Sequence, residues 1–390
     1  MALNRKFYSG KDVRRALSIA ELQTMARSRV PKFAFEYVEG GAEEEATLRW
    51  NRAALEAIRL VPNTLVDTSA RQQRTTLFGQ ELKSPLIIAP TGLNGMLCHR
   101  GDVALARAAA AAGIPFTLST VSNVRLEEVA AEAAGHLWMQ LYVLKDRKIA
   151  QDILSRAESV GYEALVFTSD ANVFGNREWD RRNYRAQAKL TLRNLIDVAC
   201  HPRWAFDVMF PNGAPRFENI ADYLTQKQRT AKAGVAAIPR LFAPDISWDD
   251  VAWLRKAWPR KLIVKGILNV ADAKHAADLG CDGIVITNHG GRQLDSCVAP
   301  IEVLPEIAQA VADRLAIIVD SGFRRGSDVV KAVALGAHAV MIGRATLYGL
   351  AAGGEAGASR ALSILTTEID RVLGQLGCRS LAEVGRHLLR

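Results

Sequence analysis

Cysteine is scarce and scattered in this chain. The five residues Cys98, Cys200, Cys281, Cys297 and Cys378 form no CxxC pair, and their number is odd. A disulfide framework or zinc ribbon is excluded on that pattern, and a reducing compartment fits. No HExxH or paired spacing occurs among the seven histidines, so no metal site is expected. The longest uncharged run, sixteen residues at 84–99, is interrupted by Pro85, Pro90, Gly92 and Gly95, and no transmembrane helix is expected. The N-terminus is basic but lacks an apolar core, which argues against a secretory signal. No low-complexity tract appears. Neither GxGxxG nor GxxxxGK follows a strand-like segment.

What is present is ordinary for a globular enzyme: 390 residues, 49% hydrophobic and 23% charged. The net charge of +9 is not evenly spread, because residues 177–240 carry twelve Lys/Arg against six Asp/Glu. The remainder is close to neutral, which argues against a nucleic-acid-coated protein.

A βα rhythm dominates. Apolar runs at 85–90, 115–119, 136–142, 164–169, 262–265, 283–288, 316–320 and 339–343 alternate with Ala/Leu/Glu-rich helical stretches, several ending in glycine (Gly113, Gly161, Gly280, Gly336). Eight such units predict a (β/α)8 TIM barrel. The competitor is an open doubly wound sheet. Polar residues end many different strands, which favours a barrel, where those ends converge on one mouth. The expected organisation is a single domain: a helical N-terminal extension over 1–75, barrel segments at 76–176 and 241–352, a basic insertion at 177–240, and C-terminal helices over 353–390. The insertion is far longer than an ordinary βα loop. Its Leu190, Leu192, Leu195, Ile196, Trp204, Phe206, Met209 and Phe210 among arginines suit an interfacial membrane anchor. A solvated lid on the barrel or on a neighbouring subunit is the alternative.

The densest chemical constellation is Thr287, Asn288, His289, Gly290, Gly291 and Arg292, at the end of the sixth strand. Histidine can accept a proton near neutral pH, and arginine can hold a carboxylate with two parallel hydrogen bonds. Lys265 lies inside an apolar strand. It is a Schiff-base nucleophile, a permanent cation against an anionic cofactor, or a charge exposed at the strand end. Asp320, Ser321, Gly322, Arg324, Gly343 and Arg344 follow strands seven and eight, where barrel enzymes commonly bind phosphate. Asp170, ending strand four, could orient His289.

These motifs resemble the FMN-dependent α-hydroxy acid dehydrogenase/oxidase family. The resemblance is carried by 31–43 (PKFAFEYVEGGAE), 89–92 (APTG), 140–143 (QLYV), 264–266 (VKG), 288–292 (NHGGR), 320–326 (DSGFRRG) and 342–344 (IGR). It covers about residues 12–378, and the inserted segment is most similar to that of the family's membrane-associated branch. It implies FMN as cofactor and an (S)-2-hydroxy acid of the L-lactate or (S)-mandelate type as substrate, oxidised to the 2-oxo acid. By the same resemblance His289 is the base, with Asp170 stabilising its imidazolium. Arg177, Arg292 and Tyr37 bind the carboxylate, and Tyr142 contacts the hydroxyl. Lys265 stabilises the reduced ring, which sets aside the Schiff-base reading. Ser119, Gln140 and Thr168 bond the ring, with Pro90, Thr91 and Gly92 against it, and Thr287 is a further cofactor-binding residue. Asp320 holds the ribityl chain and Arg324, Gly343 and Arg344 the phosphate, with Ser321 and Gly322 also binding the cofactor.

The resemblance also implies a homotetramer in the cytoplasm, peripheral on the inner face of the membrane, passing electrons to a quinone or other carrier. A soluble oxidase using oxygen is the alternative. A covalent lyase and a non-enzymatic basic surface protein are the rival classes. Five positions depart from the family pattern. Thr287 stands for a serine, and Ala171-Asn172 stand where Thr-Pro is usual, so the path to Arg177 could differ. Gly92 and Val121 leave extra space near the ring, which suits a larger or aromatic substrate.

Overall fold

The computed structural model describes residues 7–186, 189–210, 213–225 and 241–390. A hairpin, β1 (Thr75–Leu77) and β2 (Gln80–Leu82), leads into β3 (Leu86–Ile88), β4 (Phe116–Leu118), β5 (Leu137–Leu141) and β6 (Ala164–Thr168). The insertion contains a second hairpin, β7 (Tyr184–Ala186) and β8 (Lys189–Leu190). There follow β9 (Lys261–Ile267), β10 (Gly283–Ile286), β11 (Ala316–Val319) and β12 (Ala339–Ile342). β3–β6 and β9–β12 form one closed parallel barrel. β12 returns to β3 with Val340 opposite Leu86 and Ile342 opposite Ile88, which excludes an open sheet. The eight apolar runs of the sequence are these eight strands.

The strands are apolar throughout because both faces are covered. Ile87, Trp138, Val166, Ile263, Val285, Ile318 and Met341 meet inside the barrel. Their neighbours Leu86, Ile88, Met139, Leu165 and Ile284 join the layer beneath the helices. This division follows from the two-residue period of a strand. Each such aliphatic side chain, once buried, contributes about 1.5–3 kcal/mol. The hairpin closes the N-terminal end of the barrel, with the Phe78 ring 5.9 Å from that of Trp138.

One helix lies outside the sequence reading. Pro300–Val311 carries a proline at its start and Pro305 within, which disguises its period. Arg344–Leu376 breaks at Gly353 and Gly354, whose backbone is not helical, and the boundary expected at 352 coincides with that break. Over 1–75 helices span Ile19–Arg29, Lys32–Glu39 and Ala46–Ala57. Beyond Ala57 the chain is extended, against the helical expectation. Backbone N–H groups of Arg59 and Val61 donate to the carbonyls of Arg390 and Leu388, each at 2.8 Å.

The insertion, of which 187–188, 211–212 and 226–240 lie outside the described residues, docks on the body through its inner face. The Trp204 ring meets Phe33 edge-on at 5.8 Å, and its Nε1 donates to the Met96 carbonyl at 2.8 Å. Asn219 Oδ1 accepts from the Leu126 N–H at 2.7 Å. The outer face is apolar: Leu192, Ile196, Phe206 and Phe210 are 58–78% exposed. The insertion thus has a packed inner face and an exposed apolar outer face.

Candidate active site

Lys265 owes its position to a bulge. Val285 pairs with Lys265 and the next residue, Ile286, with Ile267, so Gly266 is left out of the register. Gly266 sits at φ +120°, where a Cβ would lie 2.4 Å from Ser169 Oγ, so only glycine fits. The bulge leaves Lys265 at the cavity wall, 3% exposed. Its Nζ lies 3.7 Å from Asp170 Oδ2 and 3.8 Å from Asp320 Oδ2. Both are ion-pair distances too long for hydrogen bonds, and Asp170 Oδ2 is buried with no hydrogen-bond partner. The ammonium therefore retains donors for something between the two carboxylates.

His289 follows β10 at φ +58°, and Gly290 and Gly291 continue at +65° and +73°. This left-handed turn brings the backbone close to its neighbours, for a Cβ on Gly291 would meet the backbone of Leu48 at 2.8 Å. The His289 N–H donates to Thr287 Oγ1 at 2.9 Å, so the hydroxyl of this threonine helps fix the turn. His289 Nδ1 lies 2.8 Å from Asp170 Oδ1, which fixes the ring and leaves Nε2 for the cavity. Burial and the Lys265 ammonium depress the histidine's pKa, and Asp170 only partly counters them. The imidazole is therefore neutral, and able to take a proton, at physiological pH. Burial works against the Asp170 carboxylate, but His289 and Lys265 outweigh it and hold its pKa below the usual value.

Two guanidinia face the same space. Arg177 Nε donates to the Arg292 carbonyl at 3.3 Å. Arg292 Nη1 donates to the Gly40 carbonyl at 2.7 Å, and its guanidinium lies 5.0 Å over the Tyr37 ring. Burial and the nearby Arg177 push the Arg292 pKa down to about 9. A guanidinium stays charged in a protein, so this direction measures how strongly the site favours an anion. Asp180 comes no nearer to it than 3.9 Å. The loop departure at Ala171-Asn172 does not carry Arg177 away from the cavity. Tyr142 lines the same wall, its ring stacked on Phe242 at 4.7 Å. Burial raises its phenol pKa, so it is a neutral donor.

Strands β4–β6 supply a buried polar relay. Ser119 Oγ donates to Gln140 Oε1 at 3.1 Å, and Gln140 Nε2 donates to Thr168 Oγ1 at 2.9 Å. Pro90, Thr91 and Gly92 form the adjoining wall. Asp320 accepts from Thr287 Oγ1 and, at 2.7 Å, from Ser321 Oγ, and Gly322 continues the wall. At the far end Arg324 lies 4.9 Å over the Tyr348 ring. Arg344, beside Gly343, donates to the carbonyls of Val38, Gly40 and Gly290 at 2.8–2.9 Å. Burial and Arg324 lower the Arg344 pKa. Among the described residues no carboxylate forms an ion pair with Arg324 or Arg344. A polar relay, a shared carboxylate and two arginines lacking an acid fit a planar ring, a polyol and a phosphate in turn.

All these side chains adjoin one cavity of about 690 Å³ except Gln140, Thr168, Asp170 and Thr287, which support its wall from behind. Sequence reasoning missed Asn51, whose amide pairs reciprocally with that of Asn288 at 2.9 and 2.7 Å. It also missed Asp102, which is fully buried and pushed by that burial up to about 6. Asp102 ties Asn94 Nδ2 at 2.8 Å to the Asn123 N–H at 3.1 Å, joining the loops after β3 and β4. Neither residue lies at a strand end, where the search for chemistry was made. Among the described residues no cluster of metal-binding side chains occurs.

The FMN-dependent dehydrogenase family matches residues 26–390. The chain is 42% identical over 375 residues to (S)-mandelate dehydrogenase of Pseudomonas putida, covering 96% of this chain and 93% of that one. It is 42% identical over 372 residues to L-lactate dehydrogenase of Caulobacter vibrioides, covering 95% and 97%. Among solved structures, that of a monotopic membrane protein, (S)-mandelate dehydrogenase, superposes with a TM-score of 0.91 at 42% identity, covering 96% of this chain and 99% of that one.

Proposed function

The chain belongs to the FMN-dependent dehydrogenase family, and from that premise we propose that it oxidises an (S)-2-hydroxy acid of the L-lactate or (S)-mandelate type to the 2-oxo acid. FMN, when bound, accepts the two electrons of this oxidation at its ring. The residues suit that cofactor: the underpaired Lys265 ammonium and the orphaned Asp170 Oδ2 at one end, two acid-free arginines at the other.

The observation that carries the reading is the His289–Asp170 pair at 2.8 Å, facing the same cavity as Arg177 and Arg292. Arg177 and Arg292, with the Tyr37 hydroxyl, hold the substrate carboxylate. Tyr142 contacts the hydroxyl. His289 Nε2 takes the proton that leaves, and the Asp170 carboxylate offsets the charge the imidazole gains. Lys265, with Ser119, Gln140, Thr168 and Thr287, holds the ring edge and supplies a fixed positive charge. Pro90, Thr91 and Gly92 lie along it. Asp320, Ser321 and Gly322 hold the ribityl hydroxyls, and Arg324, Gly343 and Arg344 hold the phosphate.

The electron acceptor is a quinone or similar carrier, reached from the cytoplasmic face of a membrane on which the insertion rests. No helix among the described residues is long and apolar enough to cross one. The exposed apolar outer face of the insertion, with the exposed Arg193 and Arg203 among it, supports peripheral contact. A homotetramer belongs to the same reading and is checked by light scattering. The test of function is the visible spectrum of the purified protein under argon. L-lactate or (S)-mandelate should bleach its yellow colour, and a quinone should restore it. A colourless protein, or one that bleaches with neither acid, contradicts the reading. Peroxide formed in air as fast as substrate is consumed would reassign the acceptor to oxygen.

A further inference from the structure

The cavity extends beyond the residues given a role above. Past Gly92 and Val121 its wall turns apolar and passes from the barrel to the insertion. Phe33 and Met96 of the body and Leu195, Val198, Trp204 and Met209 of the insertion line this arm together. None of these side chains can pair with a carboxylate or phosphate. The arm is a built feature, because Trp204 is locked by its edge-on contact with Phe33 and its hydrogen bond to Met96.

Two residues of the arm also belong to the outer surface. Leu195 is 46% and Met209 38% exposed, and Leu192, Ile196, Phe206 and Phe210 surround them on the exposed apolar face. The arm thus leads from the wall at Gly92 and Val121 to the face assigned above to a bilayer. A water-soluble hydroxy acid gains nothing from that route, and its carboxylate needs guanidinia that the arm lacks. A lipophilic molecule dissolved in the bilayer meets apolar surface along the whole path.

Resting on the proposed function, we propose that this arm is the site at which a lipophilic quinone, arriving from the bilayer, collects the electrons. Oxidation of one hydroxy acid releases two electrons and two protons. The quinone takes up both and leaves as the hydroquinone, so no further reactant is needed.

The test fills the arm at Val198, a half-buried wall residue with no part in the chemistry. Holoenzyme carrying Val198→Trp, with Val198→Leu as the milder companion, is reduced anaerobically by substrate. It is then mixed either with ferricyanide or with decylubiquinone in phosphatidylcholine vesicles. Reduction and ferricyanide reoxidation should match wild type, which also certifies folding. Reoxidation by decylubiquinone should fall about tenfold in Val198→Trp, the effect of some 1.4 kcal/mol, and less in Val198→Leu. Unchanged decylubiquinone rates in Val198→Trp overturn the arm as the acceptor site and leave the proposed function standing. Slower reduction by substrate, with quinone rates intact, gives the arm to the substrate side chain and also overturns it. A wild type that bleaches with substrate yet is never reoxidised by decylubiquinone removes the quinone itself.

Discussion

Strand β9 carries a lysine near each end, and the two are treated differently. At the N-terminal end of the barrel Lys261, 44% exposed, contacts Asp282 Oδ1 at 2.8 Å. Arg255 takes the other oxygen of Asp282, also at 2.8 Å. Burial works against that carboxylate, but Lys261 and a backbone hydrogen bond, with Arg255, hold its pKa low. Lys261, Asp282 and Arg255 thus complete one another. At the mouth the Lys265 side chain is 4% exposed, and its carboxylates stand off at 3.7 and 3.8 Å. A buried charge kept short of contact is costly unless something else completes it. The lesson is that a buried ammonium held short of its carboxylates, rather than charge alone, marks the working end of this barrel. Arg292, Arg324 and Arg344 repeat it, for each is held by carbonyls or an aromatic ring rather than by a close acid.

The comparison can be broken by substitutions at either end. His289→Gln should keep the yellow colour and slow flavin reduction by about 10⁴-fold, the upper range for a positioned base, in anaerobic stopped flow. Asp170→Asn should slow the same step by about 10²-fold, at the lower end of that range. It should also move the acid limb of the pH–rate profile to lower pH. The sign follows from the Asp170 charge, which raises the pKa of His289 against burial. In wild type that pKa lies below 6.5, so reduction should be complete at neutral pH and fail only as pH drops below 6.5. Arg292→Lys keeps the charge but loses the fork, and should raise KM about tenfold while leaving the reduction rate at saturation near wild type. At the other end Lys261→Met removes an exposed, completed pair. It should cost no more than about 1 kcal/mol in urea unfolding and leave turnover unchanged.

How much of this was legible in the sequence differed by region. The eight strands were legible because buried parallel strands are short apolar runs with sharp ends. Residues at those ends were legible because a barrel gathers them. Helix Pro300–Val311 was hidden by its two prolines. The support from Gly40 and Asn51 was hidden because it joins segments far apart in the chain, and that from Asp102 because it lies within a helix rather than at a strand end. The Arg292 contact with Gly40 spans 252 positions, and no local pattern predicts it. The insertion left two readings open because its apolar residues serve both an inner packed face and an outer exposed one, and composition cannot separate the two.

The most direct measurement is the two-electron reduction potential of bound FMN in wild type, Lys265→Met and Lys261→Met. Loss of the Lys265 ammonium should make the potential more negative by at least about 30 mV, equivalent to 1.4 kcal/mol, while Lys261→Met stays at the wild-type value. An unchanged potential in Lys265→Met, or equal shifts in both, would contradict the account.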